Sequence, residues 1–163
     1  MAYTVFRSDL LSGTDVAADL VSIRVYDTDG TTPIEVENGT LVELLGYENG
    51  KREVMKAKLA TSSTAATALA IVAAPEVMYD ERKKNLDQFI NEAGAIVRGY
   101  IPRSRNMYSV TKEGFVSATP QTTIGGAVGV GTGGKLNASG SGFGTLMAIE
   151  IVGRYTYYVI KIN

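Results

Sequence analysis

The sequence predicts a mainly β protein, a β-barrel or sandwich with one short helix and an extended N-terminal arm. Three observations carry this. Short runs rich in β-branched and aromatic residues recur at intervals of about ten residues. Turn dipeptides separate them, namely Asp29-Gly30, Asn38-Gly39 and Asn49-Gly50. One stretch alone has helical spacing. At 163 residues the chain suits a single domain. A domain of that size buries a core without covalent staples.

Residues 1–20 read as an arm preceding one β-rich domain over residues 21–163. Ser12-Gly13-Thr14-Asp15 is turn chemistry with no long periodic pattern around it. Val5, Phe6, Leu10 and Leu11 are apolar anchors that such an arm can lay on a partner. The competing reading makes residues 3–7 an edge strand of the domain itself.

Val21–Tyr26 alternates apolar and polar residues, as a half-buried strand does. Asp27-Thr28-Asp29-Gly30 then turns the chain, because Asp and Gly tolerate the backbone angles required. Residues 40–59 read as a β-hairpin entered at Asn38-Gly39 and turned at Glu48-Asn49-Gly50. Ala68–Ala74 is a short apolar strand closed by Pro75. Tyr79–Asn91 is the helix candidate, with Asp80 as its cap, Leu86, Phe89 and Ile90 at helical spacing, and Gly94 beyond its end. Ala95–Ile101 and Met107–Thr111 read as strands flanking a basic turn with Arg103 and Arg105. Residues 125–144 are dense in Gly, Ser and Thr, which suits a flexible loop or an irregular hairpin. Thr145–Val152 and Arg154–Ile162 form the clearest strand pair. Ile151, Val152, Tyr155, Tyr157 and Val159 belong in the core, since together they would otherwise make a large exposed apolar patch.

The composition narrows the chemistry. The chain has no Cys, His or Trp. Ser-His-Asp and Cys-His catalysis are thereby excluded; a Ser-Lys pair, or a carboxylate pair such as Glu35 with Glu37 or Asp80 with Glu81, is what remains. Such neighbours are more often solvated loop groups. Zinc is disfavoured without imidazole or thiolate, and Asp27–Gly30 lacks the further ligands of a calcium loop. No metal, cofactor or enzymatic activity is expected. Lys plus Arg number 16 and Asp plus Glu 17, so the basic footprint of a nucleic-acid binder is missing. The N-terminus lacks a signal-peptide pattern. The apolar run Ala65–Ala74 is about half the length of a membrane span. Synthesis in the cytoplasm, with neither membrane nor nucleic acid as partner, is the expectation.

Gly129–Gly134 satisfies GxGxxG, and Gly129–Lys135 satisfies the start of a phosphate-binding loop. The first motif needs a helix opening after it. Leu136 stands where the second needs Ser or Thr. Both matches arise from glycine density.

From Ala74-Pro-Glu-Val-Met-Tyr-Asp80 through Gln88-Phe-Ile-Asn-Glu-Ala-Gly94, then Arg98-Gly-Tyr100 and Met107-Tyr-Ser-Val-Thr-Lys-Glu-Gly-Phe115, the chain resembles the tailed-phage head decoration (cement) proteins, encoded beside the major capsid protein. The resemblance covers residues 70–115. It implies a non-enzymatic virion protein, assembled in the bacterial cytoplasm, that binds the major capsid protein on the outer capsid surface and stabilises the expanded head. A homo-oligomer on that surface is the expected form. Val5, Phe6, Leu10, Leu11, Arg103 and Arg105 are the candidate capsid contacts. Another virion component, such as a tail-tube, head-completion or head-fibre protein, is the alternative. A small carboxylate enzyme is the third reading.

Overall fold

A computed structural model of the chain describes residues 2–7, 19–80, 82 and 85–163. Among these described residues eleven strands make two curled sheets, joined by turns and single-turn 3-10 helices. They are β1 (Phe6–Arg7), β2 (Leu20–Tyr26), β3 (Leu41–Tyr47), β4 (Val54–Leu59), β5 (Leu69–Val72), β6 (Val97–Tyr100), β7 (Met107–Val110), β8 (Ala127–Val130), β9 (Leu136–Asn137), β10 (Gly144–Val152) and β11 (Tyr155–Ile162).

Five strands close a barrel in the order β2-β4-β3-β5-β6. The expected hairpin is β3 with β4, paired antiparallel and bulged between Leu44 and Gly46. β2 runs parallel to β4, whereas the other ladders of the described residues are antiparallel. Ile23, Val25, Val42, Ala57, Ala70, Val72 and Val97 fill the barrel interior. The other sheet has the order β1-β7-β11-β10-β8-β9. Its inner face shares a second core with the outside of the barrel. Tyr108, Val110, Phe115, Leu136, Leu146 and Ile160 meet Leu41, Leu69, Ile71 and Tyr100 there.

This two-core layout explains the apolar run of β5. Leu69 and Ile71 point between the sheets, and Ala70 and Val72 point into the barrel. A strand covered on both faces has no polar face to alternate with.

The glycine-rich stretch is an irregular hairpin of β8 and β9, with a 3-10 turn at Thr132–Gly134 as its tip. That tip packs on the barrel. The Gly134 N–H donates to the Ala60 carbonyl at 3.0 Å. A Cβ on Gly134 would stand 2.3 Å from the Leu41 carbonyl oxygen, so the approach needs glycine.

Three expectations need correction. Residues 3–7 are not a free arm. β1 pairs with β7, and Val5 and Phe6 are buried. The Val5 carbonyl accepts from Thr111 N–H and the Val5 N–H donates to Thr111 Oγ1, which fixes the segment as an edge strand. The helix over Tyr79–Asn91 is replaced, among the described residues, by one 3-10 turn at Leu86–Gln88. Residues 81, 83 and 84 lie outside the described residues. Beyond the turn, Asn91 exchanges both backbone hydrogen bonds with Val36, a distant pairing that a continuing helix would forbid. The C-terminal pair forms as expected, but Tyr157 and Val159 are buried while Ile151 and Val152 are exposed. The body of the domain ends before the hairpin does.

Candidate interaction surfaces

The charged groups nearest the clefts are engaged in holding the fold together. Glu37 lies between the barrel and the second sheet. It accepts from Thr4 N–H at 2.9 Å and from the Thr4 hydroxyl at 2.5 Å. Lys135 Nζ donates to both its oxygens, at 3.1 and 2.9 Å, and to the Glu113 carbonyl at 2.8 Å. Lys135 is the lysine of the apparent phosphate-loop match. It is followed by strand β9 rather than a helix, and its charge is spent on Glu37. The GxGxxG match likewise ends in a 3-10 turn and a strand, with no helix N-terminus aimed at a phosphate.

A cleft of about 320 Å³ opens beside Ser62, Thr64, Leu69, Gly129, Asn137 and Phe143, without an ionisable group in its walls. A smaller one includes Asn38, Glu76, Arg98 and Tyr100. Burial pushes the Glu76 carboxyl up, against a hydrogen bond from the Asn38 amide that pulls it down. Arg24, Tyr26 and Glu48 form another cluster on the barrel wall, where Tyr26 and Arg24 both donate to Glu48 Oε1. The Tyr26 hydroxyl is the first cause holding Glu48 below the usual carboxylate range, with Lys51 and Arg24 adding to it against partial desolvation. Among the described residues no three acidic, His or Cys groups converge as a metal site.

The six residues expected to touch a partner fall in different places. Val5 and Phe6 are interior, so they are unavailable as surface contacts. Leu10 and Leu11 lie outside the described residues. Arg103 pairs with the buried Asp19 at 2.5 Å, pinning the basic turn to the start of β2. Arg105 sits in the left-handed region at φ 75° and its N–H donates to the Ile162 carbonyl, leaving its side chain exposed.

Two exposed apolar surfaces escaped the sequence reading. The first is the segment Ala74–Asp80, which belongs to no regular element. Asn38 clamps its start, accepting from Ala74 N–H at 3.0 Å and donating to the Ala74 carbonyl at 2.9 Å. Asn91 supports that clamp by donating to Asn38 Oδ1 at 3.1 Å. Past the clamp Val77 is 55% and Tyr79 92% exposed. The second surface is the far end of the β10–β11 hairpin, where Met147, Ile149, Ile151 and Val152 are exposed, Ile151 to 79%. Composition alone made these look like core.

No protein-family model matches this chain, and neither does any curated protein or solved structure.

Proposed function

We propose that this chain is a non-catalytic virion structural protein that binds the outer surface of a tailed-phage capsid and stabilises the expanded head. The observation that carries the reading is the state of residues 74–80. This segment opens the stretch that resembles head decoration proteins. It is also clamped at one end by a buried amide and presents Val77 and Tyr79 to solvent. A segment held at one end and carrying an exposed tyrosine suits recognition, because the clamp limits the backbone freedom lost on docking and a tyrosine has only two side-chain torsions to fix. The near-neutral charge of the chain, −1, suits contact with a protein shell better than with nucleic acid.

The physical task is linkage. A protein that binds the expanded lattice and not its precursor stabilises the former by mass action. Many equivalent sites turn modest single-site affinity into firm retention. The major capsid protein is the partner, the virion surface is the location, and neither cofactor nor membrane is involved.

The test is co-sedimentation of the purified chain with expanded heads and with unexpanded precursors. Saturable binding to expanded heads is expected, with Tyr79→Ala weakening it about tenfold or more, as loss of an aromatic anchor does. Absence of binding, or equal binding to both particles, would refute the reading. A tail-tube role is the second reading, favoured by the projecting β10–β11 hairpin. Self-formed rings or tubes seen by negative-stain imaging would select it.

A further inference from the structure

β10 is an edge strand for most of its length. β8 accompanies it only at Gly144 and Thr145, and residues 125 and 126 bond Leu146. From Met147 to Val152 the described residues supply β11 on one side and no strand on the other. Among the described residues that side therefore presents a row of unshared backbone donors and acceptors, which is the template for another strand. Apolar side chains flank the row. By register, Ile149 faces the same way as Tyr158 and Ile151 the same way as Thr156, continuing the face on which Leu146 and Ile160 enter the core. Ala148, Glu150 and Val152 lie on the opposite face, beside Val159, Tyr157 and Tyr155. Residues 147–152 contain no Lys and no Pro, the usual guards of an edge. Their one charge, Glu150, lies 3.6 Å from Arg7, which also sits 5.2 Å over the Tyr157 ring.

We propose that β10 pairs with β10 of a second copy of this chain, antiparallel, about a two-fold axis at Ile149. The chemistry of this edge selects both the occupant and the register. Unshared backbone groups call for an extended strand. A two-fold normal to the sheet pairs residues of one face with residues of the same face, so the axis must pass at a residue. Centring on Glu150 would set two carboxylates directly opposite, which is unfavourable. Centring on Ala148 would bring Glu150 against Leu146, whose outer edge is already bonded to residues 125 and 126. Centring on Ile149 sets Ile149 against its counterpart, Met147 against Ile151, and Ala148 against Glu150. Exposed isoleucines are then covered on one face, and each Glu150 keeps its own Arg7 on the other. The interface is isologous, as a closed dimer requires.

This inference does not depend on the capsid reading, and its test uses the free full-length chain. Sedimentation equilibrium at about 100 µM, a concentration that populates a micromolar dimer, should give twice the 17.3 kDa of the chain. Ile151→Lys should give a monomer with unchanged circular dichroism and melting temperature, since the side chain is solvent-exposed in the single chain. Val77→Lys, on the other apolar surface, should leave the dimer intact. Single cysteines placed at positions 149, 150 and 151 report the register, because the chain has none of its own. Oxidation with diamide should cross-link Ile149→Cys to itself most readily. A wild-type monomer, or a dimer that survives Ile151→Lys, would overturn the proposal. So would cross-linking that peaks at another position, or a ring or filament in place of a dimer.

Discussion

At the residue scale, single polar groups decide how the two sheets are held. Glu37 and Lys135 are 98 positions apart in sequence, and each is partly buried. Lys135→Met removes the charge and keeps much of the stem, leaving Glu37 its two bonds from Thr4. A cost of about 1.5–3 kcal/mol is expected, the range for a hydrogen bond to a charged group. Urea unfolding measures it, and a cycle with Glu37→Gln separates the pair from its surroundings. Glu76 works in the other direction. Its folded carboxyl is raised by burial, so the folded chain holds this proton to higher pH than the unfolded chain does. Its contribution to stability therefore falls as pH rises through the window between the unfolded and the raised value. Glu76→Gln should raise the melting temperature at neutral pH, and the gain should vanish below the ordinary carboxylate range. Melting curves at several pH values check the sign. Neither residue was legible beforehand. Glu37 read as a solvated loop acid and Lys135 as the residue of a failed phosphate motif, because the partner of each lies far along the chain.

At the element scale, the sequence was most informative where a local signal determines the structure. Asn38-Gly39 and Asn49-Gly50 mark the turns around β3 and β4, and Gly39 and Gly50 do take positive φ values of 85° and 77°. The C-terminal strand pair followed from β-branched and aromatic residues, whereas its bulge between Leu146 and Ala148 did not. Failure came where a distant partner decides. Leu86, Phe89 and Ile90 have helical spacing, yet Asn91 is drawn into a bridge with Val36 and the chain before it turns only once. The open edge beside Ile149 and Ile151 depends on the β8 pairing stopping at Thr145, which no property of β10 announces. For β1 the sequence left an even choice, and the ladder with β7 decides it. A chain beginning at Asp19 loses the Phe6↔Val110 and Arg7↔Ser109 pairings and the burial of Val5 and Phe6. Removing two buried apolar side chains and an edge strand should cost about 3–6 kcal/mol, at about 1.5–3 kcal/mol for each side chain. Denaturant titration of the truncated chain against the full one measures this. An unchanged midpoint would return residues 3–7 to the role of an arm.

At the scale of the whole molecule, the question is whether the barrel is a unit of its own. Its ladder closes on itself and its interior is filled by Ile23, Val25, Val42 and Val72, which favours independence. The outside of the barrel argues more strongly the other way. Leu41, Leu69, Ile71 and Tyr100 turn outward from it, and they are buried only because the second sheet lies over them. The tip at Gly134 and the Lys135–Glu37 bridge then fasten the two sheets at their rim. Exposing three aliphatic side chains of this size costs about 1.5–3 kcal/mol each, roughly 5–9 kcal/mol in all. That is comparable to the whole stability of a typical domain. A fragment of residues 19–103, which keeps all five barrel strands and the Arg103–Asp19 bridge, should therefore fail to fold cooperatively. The full chain should unfold in one transition, with its calorimetric enthalpy equal to the van't Hoff value. Calorimetry on both chains decides the point. A fragment with its own sharp transition, or two transitions in the full chain, would mean that the barrel carries its own stability. One transition means that the exposed surfaces at Tyr79 and Ile151, which project from different parts of the structure, are presented by one cooperatively folded unit.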